Sequence, residues 1–365
     1  MKKFLALLLA LAMIFALAAC GAKEAPAPAE QPKAEEPAKE EPKPEEPAAD
    51  ADPLAALDPI VIEFPIPNAD ANIETEYTQK WIDKVEEVSG GKITFNFTPG
   101  GALGNYDELI EATINGVYDM TIAEPSNLVS YVPESSILNL PMLLSSYEEC
   151  DWVFDGEVGQ WWEGLVEENV GLVPMNYYYC GFRYIVSQGE IKTLDDIPGM
   201  IIRSPGAQNY LDTLGMLGFA CETMAFSEAY SAMENGVINA AECPLQNLWT
   251  SGYYNLCDYL LCTRHIFSEN CIFANKEFLD SLAPEYLEIL TSTLAEITAE
   301  ERTECDAREQ QFMKDFEGQG TTINEFDADT QAAVVALFKD YWSEKAEELG
   351  ADAVANLQLI LDHKG

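Results

Sequence analysis

The chain has 365 residues and carries 20 Lys+Arg against 63 Asp+Glu, a formal net charge of −43. So large an acidic excess makes nucleic acid and anionic membrane surfaces poor partners, and any anionic ligand must be held by local donors against the overall field. The length suffices for two domains, each with its own core.

Residues 1–19 read as a lipoprotein signal peptide, with two lysines followed by an apolar run over residues 4–18. The run is too short and too one-sided for a spanning helix. Leu17-Ala18-Ala19-Cys20 has the form of a bacterial lipobox, which predicts cleavage before Cys20 and a lipid on its sulfur. Residues 20–58 are then the anchor and a stalk of Ala, Pro, Glu and Lys without one aromatic side chain. Such a segment cannot bury enough surface to fold, and its prolines keep it extended.

The folded part begins near Pro59. Tyr77, Trp81, Val85 and Val88 share one helical stripe that stops at Gly90-Gly91. Ile93, Phe95 and Phe97 then alternate as in a strand, and "YDELIEATIN" and "VYDMTIAEP" read as a helix and a strand. Strand, helix and strand in that rhythm predict a parallel α/β arrangement. A partial repeat follows: "ELIEATINGVYDMTIAEP" at 108–125 is similar to "EAYSAMENGVINAAECP" at 228–244. Glu124 and Cys243 both then fall just past strand carboxyl ends, where open α/β sheets place their ligands. Further on, residues 284–317 form one long helical pattern that would reach across more than one domain. "TTINEF" predicts a strand and residues 329–349 another helix.

Arginine is scarce, with five in the chain at positions 183, 203, 264, 302 and 308. Arg203 ends the apolar run in "GMIIRSPG", and a charged head there is costly to bury unless an anion opposes it. Eight cysteines follow Cys20 with no C-x-x-C, so disulfides and buried thiols are both compatible with the pattern. The two histidines, His265 and His363, share no metal-ligand spacing with acids or thiols, and no cofactor motif is present. G-x-S-x-G, H-E-x-x-H and phosphate loops are also missing, which argues against a hydrolase or a kinase.

Three ordered stretches, "TPGGALGNYDELIEATINGVYDMTIAEP", "CGFRYIVSQGEIKTLDDIPGMIIRSPG" and "MAFSEAYSAMENGVINAAECPL", resemble the extracytoplasmic solute-binding subunits of TRAP transporters, the DctP family. The resemblance covers roughly residues 60–340. It implies an α/β, two-domain, periplasmic-binding-protein-like (Venus flytrap) fold with discontinuous domains and a long helix of the C-terminal third spanning both. The implied boundaries are 59–181 and 269–308 for domain I, and 182–268 and 309–365 for domain II. It further implies a small organic acid as ligand, membrane transporter subunits as partners, a monomer, and no catalysis. An ABC-type or receptor-associated binding protein is the alternative. By the resemblance Arg203 pairs with the ligand carboxylate, Arg183 assists, Phe226 packs on the ligand, and Glu124 lines the first domain's side. Cys243 stands where the family commonly has an amide or another polar residue, and a thiol is a weak donor. Asn105 and Asn127 lack the charge of sialic-acid-binding relatives, which counts against a large polyhydroxylated sugar acid. The aromatic residues Tyr177, Tyr178, Tyr179 and Trp249 would favour an aromatic or apolar acid, with Tyr179 and Trp249 expected at the site.

Overall fold

The computed structural model describes residues 53–364, so the leader, Cys20 and most of the stalk lie outside the described residues. The alternating apolar runs form β1 (Ile60–Pro65) and β2 (Ile93–Thr98), paired in parallel with Ile62 opposite Phe95 and Phe64 opposite Phe97. Between them α1 (Ile73–Val88) turns Tyr77, Trp81 and Val85 inward. The Trp81 ring lies 5.4 Å from Phe95 and 6.3 Å from Phe64, so the stripe and the strand pair make one core. The helix α2 (Tyr106–Ile114) starts on a capping box between Asn105 and Glu108 and delivers the chain to β3 (Met120–Ala123). Then α3 (Tyr147–Phe154), α4 (Glu157–Val170) and β4 (Leu172–Pro174) complete this half.

The long strand β5 (Tyr178–Ser187) leads into a second half. There β6 (Ile201–Ser204), α5 (Gln208–Leu217), β7 (Ala220–Thr223), α6 (Phe226–Glu234), β8 (Ala240–Pro244), α7 (Leu245–Thr250) and β9 (Tyr259–Leu261) follow in order. In this half β6 lies parallel to β7 and β8, while β8 and β9 flank β5 antiparallel. The sequence repeat is a structural one. Both α2 and α6 have nine residues, end at Asn115 and Asn235, and turn through left-handed Gly116 and Gly236 into β3 and β8.

The halves are joined through β5 and β10 (Phe267–Asn275). Residues 178–182 of β5 pair antiparallel with residues 267–270 of β10, across a register shift between Ser268 and Glu269. Beyond this ribbon β5 continues to β8 and β9, and β10 continues to β3 and β4. The fold is therefore two α/β lobes sharing two strands.

After α8 (Lys276–Ser281), the helix α9 (Pro284–Gly318) runs 35 residues without a break. It packs on α1 of the first lobe, on β5, and on α7 of the second. The expected helix across both lobes is present. Its Glu309 carboxylate accepts the Phe182 backbone N–H at 3.0 Å and the hydroxyls of Tyr184 (2.8 Å) and Tyr147 (3.1 Å). Gly181 beside it adopts φ +94°, and a Cβ there would stand 2.7 Å from that carboxylate, so only glycine lets α9 grip the ribbon so closely.

The strand β11 (Thr322–Asn324) joins β9 in parallel, followed by α10 (Ala328–Leu349) and α11 (Ala351–Lys364). Residues 309–365, expected with the second domain, pack on both lobes. Tyr341 donates to Asp212 of α5, whereas Trp342 donates to the Pro141 carbonyl and His363 stacks on Trp152 at 3.9 Å. All eight described cysteines are free thiols.

Candidate functional site

Three strand ends of the second lobe converge. Arg203 is the penultimate residue of β6, Met224 follows β7, and Cys243 is the penultimate residue of β8. The parallel order puts all three at carboxyl ends, where such sheets bind ligands. Ile202 faces the core, so the alternation turns Arg203 to the other face, where it is only 6% exposed. Its Nε donates to the Met224 carbonyl at 3.0 Å, and its guanidinium carbon lies 5.3 Å from the centre of the Phe226 ring.

The charge of Arg203 has no acid beside it. The other four arginines each have a carboxylate within 4.0 Å: Arg183 has Glu242, Arg264 has Glu309, Arg302 has Asp155, and Arg308 has Glu76 and Glu304. Among the described residues Arg203 makes no ion pair, and its ladder neighbour Glu222 is exposed and does not pair with it. In a chain of net charge −43 an unpaired, nearly buried arginine is an exception that calls for an anion.

Arg183 is engaged otherwise. On β5 it lies opposite Pro244, and Glu242 lies opposite Ile185, so Arg183 and Glu242 project from one face as diagonal neighbours. Glu242 takes the Nε and Nη2 edge of the guanidinium in bidentate fashion, with Nη2 at 2.8 Å, and Ser268 Oγ accepts from Nη1 at 2.8 Å. His265 Nε2 stands 3.3 Å from the same carboxylate, and Thr263 Oγ1 lies 2.6 Å from His265 Nδ1. Burial alone would raise the pKa of Glu242, but the charge and hydrogen bonds of Arg183, aided by His265, hold it far below the usual carboxylate range. Burial lowers His265 against the pull of Glu242, which leaves a neutral ring donating from Nε2. Arg183, expected to assist at the site, has its forked edge filled by Glu242.

The first lobe closes on this group through Glu124, just past β3. Glu124 Oε2 accepts from Ser126 Oγ at 3.1 Å and from Tyr210 Oη at 3.0 Å. Tyr210 belongs to α5 of the other lobe, and its ring lies 4.7 Å from the Arg183 guanidinium carbon, so one side chain links the two lobes. Behind Glu124, Glu74 is 2% exposed and accepts from Asn68 Nδ2 (3.0 Å), Asn270 Nδ2 (3.3 Å) and Cys180 Sγ (3.3 Å). Glu269, fully buried on β10, accepts from Asn139 Nδ2 at 3.1 Å. Burial raises both carboxyls, and the charge of Glu124 raises them further.

Of the remaining expected residues, Cys243 is buried with Sγ 4.0 Å from Arg183 Nη2, and burial pushes its thiol up to about 12, so it stays a neutral group. Tyr179 and Trp249 are not with this group. The Tyr179 hydroxyl donates to Asp151 at 2.7 Å, and its ring packs on Phe267 and under Arg302. Trp249 packs on Tyr254 and, through Phe312 and Phe316, on α9. The expected aromatic box is thus core packing. Glu242, Tyr210, Glu74 and Glu269 were not anticipated. A cavity of about 430 Å³ lined by Leu57, Val61, Asp119 and Tyr286 lies elsewhere and shares no residue with this group.

The raised acids give a stability prediction. A carboxyl whose folded pKa lies above its unfolded value stabilises fully below the unfolded value and loses that contribution as pH rises through the folded one. Glu74, Glu269, Glu301 and Glu309 are all raised, chiefly by burial. Glu242 is depressed, so its contribution is retained throughout this range. The ligand-free protein should therefore melt at a higher temperature at about pH 5 than at about pH 8. Glu269→Gln should flatten that slope, as differential scanning calorimetry across pH would register. A slope unchanged by the variant would mean that Glu269 ionises freely.

The family model for bacterial extracellular solute-binding proteins, family 7 (DctP), matches residues 67–349. The chain belongs to that family. Among its DctP relatives is the C4-dicarboxylate-binding protein DctB of Bacillus subtilis, 27% identical over 268 residues, 73% of this chain and 76% of that protein. A TRAP periplasmic solute-binding protein of Ochrobactrum anthropi, solved with its C-terminus in its ligand-binding pocket, superposes with a TM-score of 0.78 at 25% identity. That match covers 84% of this chain and 96% of that one. The sugar-acid-binding protein DctPAm of Advenella mimigardefordensis, in complex with galactonate, gives 0.75 at 25% identity, covering 83% and 99%. The fold of this chain is shared with these solute-binding proteins.

Proposed function

We propose that this protein is the extracytoplasmic solute-binding subunit of a TRAP-type transporter, capturing a small organic acid between its lobes for delivery to the membrane subunits. The observation that carries the reading is Arg203, nearly buried at a strand end, with no acid partner among the described residues. Its planar fork suits a carboxylate in bidentate fashion. Phe226 supplies an apolar wall beneath it. Arg183, neutralised by Glu242, offers its remaining N–H bonds and so contributes orientation rather than net charge. Cys243 adds a neutral contact, and Glu124 meets the ligand from the first lobe.

The ribbon of β5 and β10 serves as the hinge, with lobe boundaries near residues 181–182 and 268–269. Opening separates Tyr210 from Glu124, and a ligand touching both lobes favours closure by its greater affinity for the closed state. The lipobox cysteine Cys20 supplies a lipid anchor that keeps a monomeric binding protein at the membrane through its stalk.

A thermal-shift screen against mono- and dicarboxylates tests the reading. One acid or a narrow set should raise the melting temperature in a concentration-dependent way and be recovered chemically unchanged. No stabilisation by any organic acid, or protein-dependent conversion of one, would contradict it.

A further inference from the structure

The two lobes also meet along the first turns of α5, through side chains that take no part in the Arg203 group. Asn209 and Asp212 stand three residues apart in that helix and so share one of its faces. Asn209 belongs to the second lobe, yet it is buried against the first, where its Nδ2 donates to the Ser136 carbonyl at 2.9 Å. The Tyr341 hydroxyl of α10 meets the same face, 3.0 Å from Asp212 Oδ2 and 3.2 Å from Asn209 Oδ1. Its sequence neighbour Trp342 is fixed to the first lobe, donating from Nε1 to the Pro141 carbonyl at 2.7 Å. The end of α11 adds His363 on Trp152 and Lys364 on Glu149, both partners lying in α3. The α10–α11 hairpin is thus seated on the first lobe, and Tyr341 reaches from it to the second. Arg203 has separate contacts, to Met224 and Phe226.

We infer that Asn209, Asp212 and Tyr341 form a closure latch, positioning residues that set ligand affinity by holding the lobes together without touching the ligand; this rests on the cleft reading proposed above. Rotation about the β5–β10 ribbon carries α5 with β6 and β7, on which it packs, while the hairpin stays with α3 and α4. The Tyr341 contact with α5 is therefore made on closing and broken on opening. Groups parted in the open form regain water, so the latch supplies a modest bias and not an irreversible lock. Such a bias acts on the closed form whatever lies in the cleft, and it scales the affinity of every ligand alike. A side chain that touched the ligand would instead change the affinities of different ligands unequally.

Tyr341→Phe tests this with the loss of one hydroxyl, since the ring can keep its place against Phe338. The probes are the mono- and dicarboxylates that stabilise the parent protein in a thermal-shift screen beginning with succinate, malate, galactonate and gluconate. Calorimetric titration of the mature protein should show each of them binding Tyr341→Phe about three- to tenfold more weakly, by the same factor. Asn209→Leu, which cuts the links to both Ser136 and Tyr341, should lose more. Asp212→Asn keeps an acceptor oxygen for Tyr341 and should retain most of the parent affinity. Small-angle scattering at a probe concentration that half-saturates the parent should show Tyr341→Phe shifted toward the wider form. Unequal factors among the probes would place Tyr341 in ligand recognition and overturn the inference. Parent-like affinity in Tyr341→Phe overturns it too, as does a lowered ligand-free melting temperature as the sole change. Those results leave the cleft reading standing wherever Arg203→Ala still abolishes binding. A parent stabilised by no organic acid, or binding indifferent to Arg203→Ala, removes that reading and the latch with it.

Discussion

Arg203→Ala is expected to abolish most ligand affinity while leaving the fold intact. The side chain makes one hydrogen bond to the Met224 carbonyl and one ring contact to Phe226, and no ion pair among the described residues. Its removal therefore orphans no protein charge in the ligand-free state. In the complex it would leave a ligand carboxylate in a closing cleft without its cation, a loss on the order of 2–5 kcal/mol, or about thirty-fold to several thousand-fold in affinity. Arg203→Lys should fall in between, since it keeps the charge and loses the fork. Titration calorimetry and the melting temperature of the ligand-free variants read both effects. A structural role would reverse the pattern, with a large loss of stability and affinity little changed in whatever folds.

Glu242→Ala should do the opposite. Arg183 and Glu242 are 4% and 0% exposed, so removing the carboxylate strands a cation that the fold has no other means to neutralise. Breaking one side of a buried pair costs about 3–5 kcal/mol, enough to remove a large part of a domain's stability. The same change unsettles His265, which loses its acceptor. Replacing both charges, as in Arg183→Met with Glu242→Leu, should recover much of that loss, because the pair is valuable chiefly relative to an uncompensated half. Denaturant melts of the single and double variants supply the comparison. A Glu242→Ala protein as stable as the parent would show that the pair is solvated or replaceable.

The contrasting surroundings of two arginines twenty residues apart separate what is local in the sequence from what is not. The ends of apolar runs are local features, so Arg203, Glu124 and Cys243 could be placed at strand carboxyl ends from "GMIIRSP", "AEP" and "AECP". The α2–β3 and α6–β8 repeat was visible for the same reason. The partner of Arg183 was not, because Glu242 lies 59 residues away and meets it only through the register of β5 with β8. The surroundings of Glu74 were equally hidden. Glu74 begins a helix, Asn270 sits in a strand and Asn68 lies in a loop, and only tertiary packing brings them together. Tyr179 and Trp249 show the converse error. An aromatic cluster in sequence suggests a ligand box, but the strand pleat and the long α9 helix turn these two rings into packing groups.

The most direct measurement is a crystal structure of the protein with the acid that stabilises it most. The account predicts the ligand carboxylate between the lobes, accepting two hydrogen bonds from the Arg203 fork at about 2.7–2.9 Å, with Phe226 against the ligand and the Arg183–Glu242 pair unbroken. A carboxylate bound elsewhere, or held by Arg183 with Arg203 still on the Met224 carbonyl alone, would contradict it.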